Sequence, residues 1–303
     1  MTAKKVSKKY ALNEFMTIGL ILVVYCLFAL YIPIVLNELF STEYMQARLT
    51  TNLMEGIKTL IIIVGTLLPF ILISYVGKRK KRQKVKVIVP FSMILVESFV
   101  FFTISSLAVF VTTSVAAYLG IAGELVSPIG MPLTSENMQS PIYVVSFILI
   151  TPVVEEYAYR GAFLNCLSKY GKYFASIATS LIFAIAHGSF VEMVPAFVMG
   201  YELSKIALKY KNWKTCASIH VIFNAFLYLL FAVPEDYSKI MAILLFLIYA
   251  ITVVLILNRH FQRITIRKSR SSNDVIKMFF KTGSVILASV LFIINSILSI
   301  LLR

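Results

Sequence analysis

Charge is scarce in this chain, and histidine is scarcer. Asp, Glu, Lys and Arg together make up 14% of its 303 residues, and there are three histidines. A soluble globular domain carries about a quarter charged residues. The 59% of hydrophobic residues here therefore point to a lipid solvent. Cys26, Cys166 and Cys216 stand alone without C-x-x-C spacing, which excludes a disulfide framework. No H-E-x-x-H occurs, so a zincin-type helix is excluded. Internal repeats and low-complexity tracts are also missing. Twelve glycines and nine prolines show no matched pattern in two halves, which speaks against the inverted repeats and broken helices of a transporter.

What fills the chain instead is a series of apolar runs near the 20 residues that cross a bilayer core. They lie at roughly 15–37, 57–76, 88–119, 142–165, 173–188, 190–208, 214–233, 239–258 and 283–302. These predict an all-α polytopic bundle of about nine membrane helices, or eight if the short fifth run is discounted. The third run is long enough to tilt or break, with Pro90 and Glu97 beside or inside it. The first is longer than a signal-peptide core, and no small-residue cleavage pattern follows it, so it reads as an uncleaved helix. The longest polar connections are 38–56, 120–141 and 259–282.

Basic residues follow the alternation of these runs. Lys4, Lys5, Lys8 and Lys9 precede the first, and seven basic residues crowd the 77–86 loop. Lys169 and Lys172 follow the fourth run, Lys205, Lys209, Lys211 and Lys214 surround the end of the sixth, and seven more lie in 259–281. All fall on one side of a nine-span arrangement. Such excess marks the cytoplasmic face, which predicts a cell-membrane protein with its N-terminus cytoplasmic and its C-terminus extracytoplasmic. The same distribution explains the net charge of +15 through orientation and attraction to anionic lipid. The lipid bilayer is the partner it implies, and no nucleic-acid partner is inferred.

Ionisable side chains inside a membrane are costly and mark functional or paired positions. The fourth run contains "TPVVEEYAYR" (151–160). Glu156 and Arg160 are four apart on one helical face, acid before base, the favourable order for an ion pair. Glu155 points about 100° away, has no base three or four residues distant, and has Tyr159 as its i+4 neighbour. It therefore needs a partner from another helix. His260 sits among arginines in a basic loop and reads as solvated. His187 ends the fifth run in "FAIAH", and His220 stands in the seventh in "HVIFN", with Asn224 one turn on. Counting rise per residue puts Glu155, His187 and His220 roughly 14, 21 and 9 Å from the inner ends of their helices. The tilt of real helices brings those depths together.

A carboxylate with an imidazole suits deprotonation of a water, while a second imidazole and an amide suit hydrogen bonding to an oxyanion. Glu155, His187 and His220 are equally donors that suit Zn²⁺, which activates water itself. Either route hydrolyses a peptide bond without a covalent intermediate. Glu202 and Lys205, three apart, read as a surface ion pair. Gly200 and Ser204 read as a small-residue packing pair.

Taken in order, "EEYAYR", "FAIAH" and "HVIFN" resemble the E-E-x-x-x-R, F-x-x-x-H and H-x-x-x-N motifs of the CPBP intramembrane proteases. That family includes type II CAAX prenyl endopeptidases and the abortive-infection or bacteriocin-immunity proteins. The resemblance covers about residues 142–233. It implies a catalytic core there, flanked by N-terminal helices in 1–141 and C-terminal helices in 234–303, and a polar cavity within the bundle. By matching position it implies that Glu155 activates water with help from His187. It further implies that His220 and Asn224 stabilise the oxyanion or help to hold a metal, and that Glu156 and Arg160 complete the first motif. The family has been described both as zinc-dependent and as using a glutamate alone. The substrate expected is a membrane-associated peptide or protein, in self-immunity, peptide maturation or signalling. A non-enzymatic membrane scaffold or immunity factor is the competing class, and a proton-coupled transporter ranks last.

Overall fold

Each apolar run folds as a helix. A computed structural model describes residues 8–76, 89–119, 140–188, 190–232, 235–257 and 272–301. The basic loops around 77–88 and 258–271, His260, and most of the 120–141 connection lie outside the described residues. Among the described residues every regular element is helical. The main helices are α1 (Lys8–Ser41), α2 (Thr51–Val76), α3 (Phe91–Tyr118), α4 (Pro141–Tyr170), α5 (Lys172–Ala186), α6 (Phe190–Tyr210), α7 (Trp213–Ala232), α8 (Ser238–Leu257) and α9 (Gly283–Leu301). Helices thus occupy all nine expected positions. Four of them, α1 to α4, are long and apolar enough to cross a membrane by length and composition alone.

Boundaries differ from the sequence reading where local chemistry decides them. Pro90 is the N-cap of α3 rather than a break within it, and α3 runs on unbroken to Tyr118. The missing N–H of a proline costs nothing at a helix start. α4 continues past residue 165 to Tyr170. Gly171, at φ 132°, ends it in a conformation open to glycine. The polar connection before α9 contains a helix that sequence reading misses, Ser272–Phe280, bent by 70° from α9. Asn273, Asp274 and Lys277 are exposed while Phe279 is fully buried. This stretch is amphipathic over two turns, and its charges disguise its apolar side.

The helices make a bundle in which α4 is central. It packs on α2 and α7, α5 packs on α6, and α3 packs on α6, α7 and α8. α1 is held between α2 and α9. Close approach is secured by small residues, as expected where lipid offers no competing hydrophobic drive. A Cβ on Gly19 of α1 would meet the backbone nitrogen of Val285 at 2.6 Å, and Ser284 Oγ donates to the Met16 carbonyl at 2.8 Å. A Cβ on Gly200 of α6 would lie 3.2 Å from Ser180 Cα of α5, which bears out the packing reading of that glycine.

Large apolar side chains cover the outside. Leu20, Val24, Leu60, Leu68, Leu107 and Phe110 are each more than half exposed, whereas Phe15, Phe70, Phe163, Phe174 and Phe183 are buried. An apolar exterior of this kind is a liability in water and natural in lipid. The helices are those of a protein compatible with multiple membrane passes.

Candidate active site

α4 is not a uniform α-helix. Two wide, π-helical turns, Ser146–Ile150 and Tyr157–Phe163, flank an α-helical stretch, Thr151–Glu156. Wide turns of this kind are rare and concentrate at functional sites. Pro152 supplies the cause of the first, because it has no N–H to close an α-helical bond to residue 148. The stretch between the two wide turns carries both motif carboxylates.

Glu156 faces the bundle interior and is fully buried. Arg160 Nη1 donates to its Oε1 at 2.7 Å, and Arg160 Nη2 donates to the Gly200 carbonyl at 3.2 Å. The guanidinium lies 4.6 Å from the centre of the Phe183 ring. The i,i+4 ion pair expected from sequence is present. His220 Nδ1 joins it, donating to the same Glu156 oxygen at 3.0 Å. The sequence pattern alone does not show this bond. The two carboxylates lie on different faces of α4, and α7 packs on the face that carries Glu156. His220, Glu156 and Arg160 still act electrostatically on Glu155, so the groups form one neighbourhood.

Glu155 faces a pocket. Among the described residues it forms no hydrogen bond and no ion pair. The pocket is small, with room for about 40 Å³, and His187 lines it beside Glu155. Of the three residues expected to meet, Glu155 and His187 line this pocket, while His220 is bonded to Glu156. His187 stands just past the end of α5, where Gly188 turns the chain at φ 68°. Its Nδ1 lies 2.7 Å from the Phe183 carbonyl. A carbonyl oxygen only accepts, so Nδ1 carries a proton, and in the neutral imidazole the lone pair is on Nε2.

Four hydroxyls complete the wall. Thr151 and Tyr159 come from α4, Tyr25 from α1 and Thr66 from α2. Tyr159 donates to Tyr25 across the helix interface at 3.5 Å. Thr151 and Tyr159 stand four residues either side of Glu155, a periodicity legible in the sequence. Tyr25 and Thr66 lie far from any motif, and no sequence signal singles them out. A second, apolar pocket shares Tyr25, Ile62 and Thr66 with the first and extends past Phe28 to Pro33.

Asn224 donates from Nδ2 to the Phe147 carbonyl at 2.8 Å, so one of its amide hydrogens is committed to the backbone of α4. Glu97 is buried in α3 and takes bonds from Tyr210 at 3.1 Å and Lys209 at 3.4 Å. It therefore has its own partners, apart from Arg160 and the pocket. Glu202 and Lys205 form the expected pair at 2.6 Å. Glu14 is a buried carboxylate that the sequence did not flag. It binds Lys169 at 2.6 Å and Tyr170 at 3.0 Å, tying α1 to the end of α4.

The zinc expectation needs Glu155, His187 and His220 as one donor set. Among the described residues no three His, Cys, Asp or Glu side chains are grouped closely enough to hold a metal ion. As arranged, Glu155, His187 and His220 form no three-ligand cluster.

With this geometry established, comparison with known proteins adds one match. Residues 137–226 match the family model described as type II CAAX prenyl endopeptidase Rce1-like. It is the family that the three motifs resemble, and the matched stretch holds Glu155, Glu156, Arg160, His187, His220 and Asn224. The match implies, at the general level, a CAAX-type intramembrane protease. No curated protein and no solved structure matches the chain.

Proposed function

We propose that this protein is an intramembrane endopeptidase of the cell membrane, with residues 142–233 as its catalytic core. The helices in 1–141 and 234–303 complete the bundle and its lipid contact, and the N-terminus is cytoplasmic and the C-terminus extracytoplasmic. Its substrate is a membrane-associated peptide or protein. One observation carries the reading: Glu155 and the lone-pair side of His187 share a single pocket, and Glu155 is committed to nothing else described.

A water between them donates one hydrogen to the Glu155 carboxylate and the other to His187 Nε2. Its oxygen lone pair is thereby directed at a bound peptide carbonyl. As the oxygen attacks carbon, Glu155 takes the proton and negative charge gathers on the carbonyl oxygen. His220, held on Glu156 at 3.0 Å, is the group that the family resemblance gives to opposing that charge. Collapse of the tetrahedral species breaks the C–N bond, and Glu155 returns the proton to the leaving amine. Glu156 and Arg160 keep His220 and α4 in place.

The test compares membranes from cells producing the wild-type protein or Glu155→Gln, with all peptide N-termini labelled and identified. New N-termini that require Glu155 are the expected result. Identical termini, together with a cellular phenotype that survives both Glu155→Gln and His187→Ala, would establish the scaffold or immunity-factor class instead. Exhaustive chelation should leave the cleavage intact; loss restored by Zn²⁺ alone would return the metal to the mechanism.

A further inference from the structure

The Phe147 carbonyl sits at an unusual break in the α4 hydrogen-bond ladder. Its α-helical donor would be the Thr151 N–H, but that group bonds to the Ser146 carbonyl in the wide turn. Its donor in π-helical register would be residue 152, which is proline. Both backbone donors are thus unavailable, and a carbonyl packed between helices needs a partner. Asn224 Nδ2 supplies it from α7 at 2.8 Å.

One turn earlier on the same face of α7, His220 reaches Glu156 of α4 at 3.0 Å. α7 therefore makes two polar rungs onto α4, at Phe147 and at Glu156, on either side of the Pro152 discontinuity. Successive residues on a helix point about 100° apart. If the wide turn relaxed by one residue, the stretch carrying Glu155 would turn by that angle relative to the turn before it. Two adjacent carboxylates make such a slip consequential, because register decides which one looks into the pocket.

We propose that Asn224 is a positioning residue that holds the Pro152 turn in register, so that Glu155 rather than Glu156 faces the pocket. The role rests on the peptidase reading above for its consequence in turnover, but the register itself is measurable without any activity. Asn224 acts through the backbone of α4.

The experiment uses the full chain in detergent micelles, with Asn224→Ala, Pro152→Ala and the double variant. Pro152→Ala restores an N–H that lies in π-helical register with the Phe147 carbonyl. Hydrogen exchange of the 146–156 amides should quicken in Asn224→Ala and return toward wild type in the double variant. Turnover should fall about a hundredfold in Asn224→Ala, the scale of an ångström-sized misplacement, and recover at least about tenfold when Pro152 is also replaced. If Asn224→Ala fails to fold, recovery of folding by Pro152→Ala supports the same role. Unchanged exchange in Asn224→Ala, or no recovery in the double variant, overturns it. A wild-type protein that cleaves nothing would sink the peptidase reading and leave the exchange result to decide this one.

Discussion

The pocket side of α4 and its buried side treat a carboxylate in opposite ways. On the buried side, Glu156 is closed in by Arg160 at 2.7 Å and His220 at 3.0 Å, with no exposure. On the pocket side, the adjacent Glu155 meets hydroxyls and an imidazole along an open wall, and bonds to none of the described residues. The first arrangement neutralises a charge that the bundle would otherwise exclude. The second leaves a base available. Sequence proximity therefore says nothing about equivalence: one carboxylate is fixed so that its neighbour can remain uncommitted.

Replacing each in turn should separate the two roles. Glu155→Gln should lower turnover by about a thousandfold, within the range for loss of a general base. The thermal midpoint in detergent should stay unchanged, because no described bond is broken. A comparable drop in midpoint would mean that Glu155 is structural. Arg160→Met reverses the signature. It leaves Glu156 buried with His220 alone and should cost about 3 kcal/mol of stability, read as a lowered midpoint, with turnover per folded molecule falling far less than in Glu155→Gln. Equal effects of the two substitutions would collapse the distinction between the two sides.

Helix packing away from the site gives an intermediate effect. Gly19→Ala places a methyl group against the backbone of α9, where neither helix can yield by rotating a side chain. Overpacking of this sort costs about 1–3 kcal/mol. The midpoint should fall while turnover per folded molecule is preserved, since Gly19 lies outside the pocket. A changed KM would instead connect the α1–α9 seam to substrate entry.

The legibility of these features follows the range of the interactions that make them. Helix positions were readable because hydropathy alone sets them, and the Glu156–Arg160 pair because four residues make one helical turn. The Glu155–His187 meeting was reachable by elimination, since three histidines left few partners. The His220–Glu156 bond is not legible, because choosing between neighbours 100° apart requires the rotation of one helix against another. No periodicity encodes that rotation when wide turns interrupt it. Pro152 was the visible sign of the interruption, but the compensating amide comes from 72 positions away. Tyr25 and Thr66 reach the pocket from helices outside the matched segment and had no local signature.

The smallest expected effect concerns a pair whose geometry imitates the buried one. Lys205 and Glu202 are three apart at 2.6 Å, as close as Arg160 and Glu156, but their side chains are 16% and 24% exposed. Partial access to solvent screens the attraction, and two long side chains lose freedom in holding it. Lys205→Met should therefore change stability by about 0.5 kcal/mol or less, and the change should vanish at high salt. The contrast with Arg160→Met then isolates burial as the cause, because distance and helical spacing nearly match between the two pairs. A loss from Lys205→Met as large as that from Arg160→Met would require another explanation: the C-terminal half of α6 would have to be as dry as the centre of the bundle.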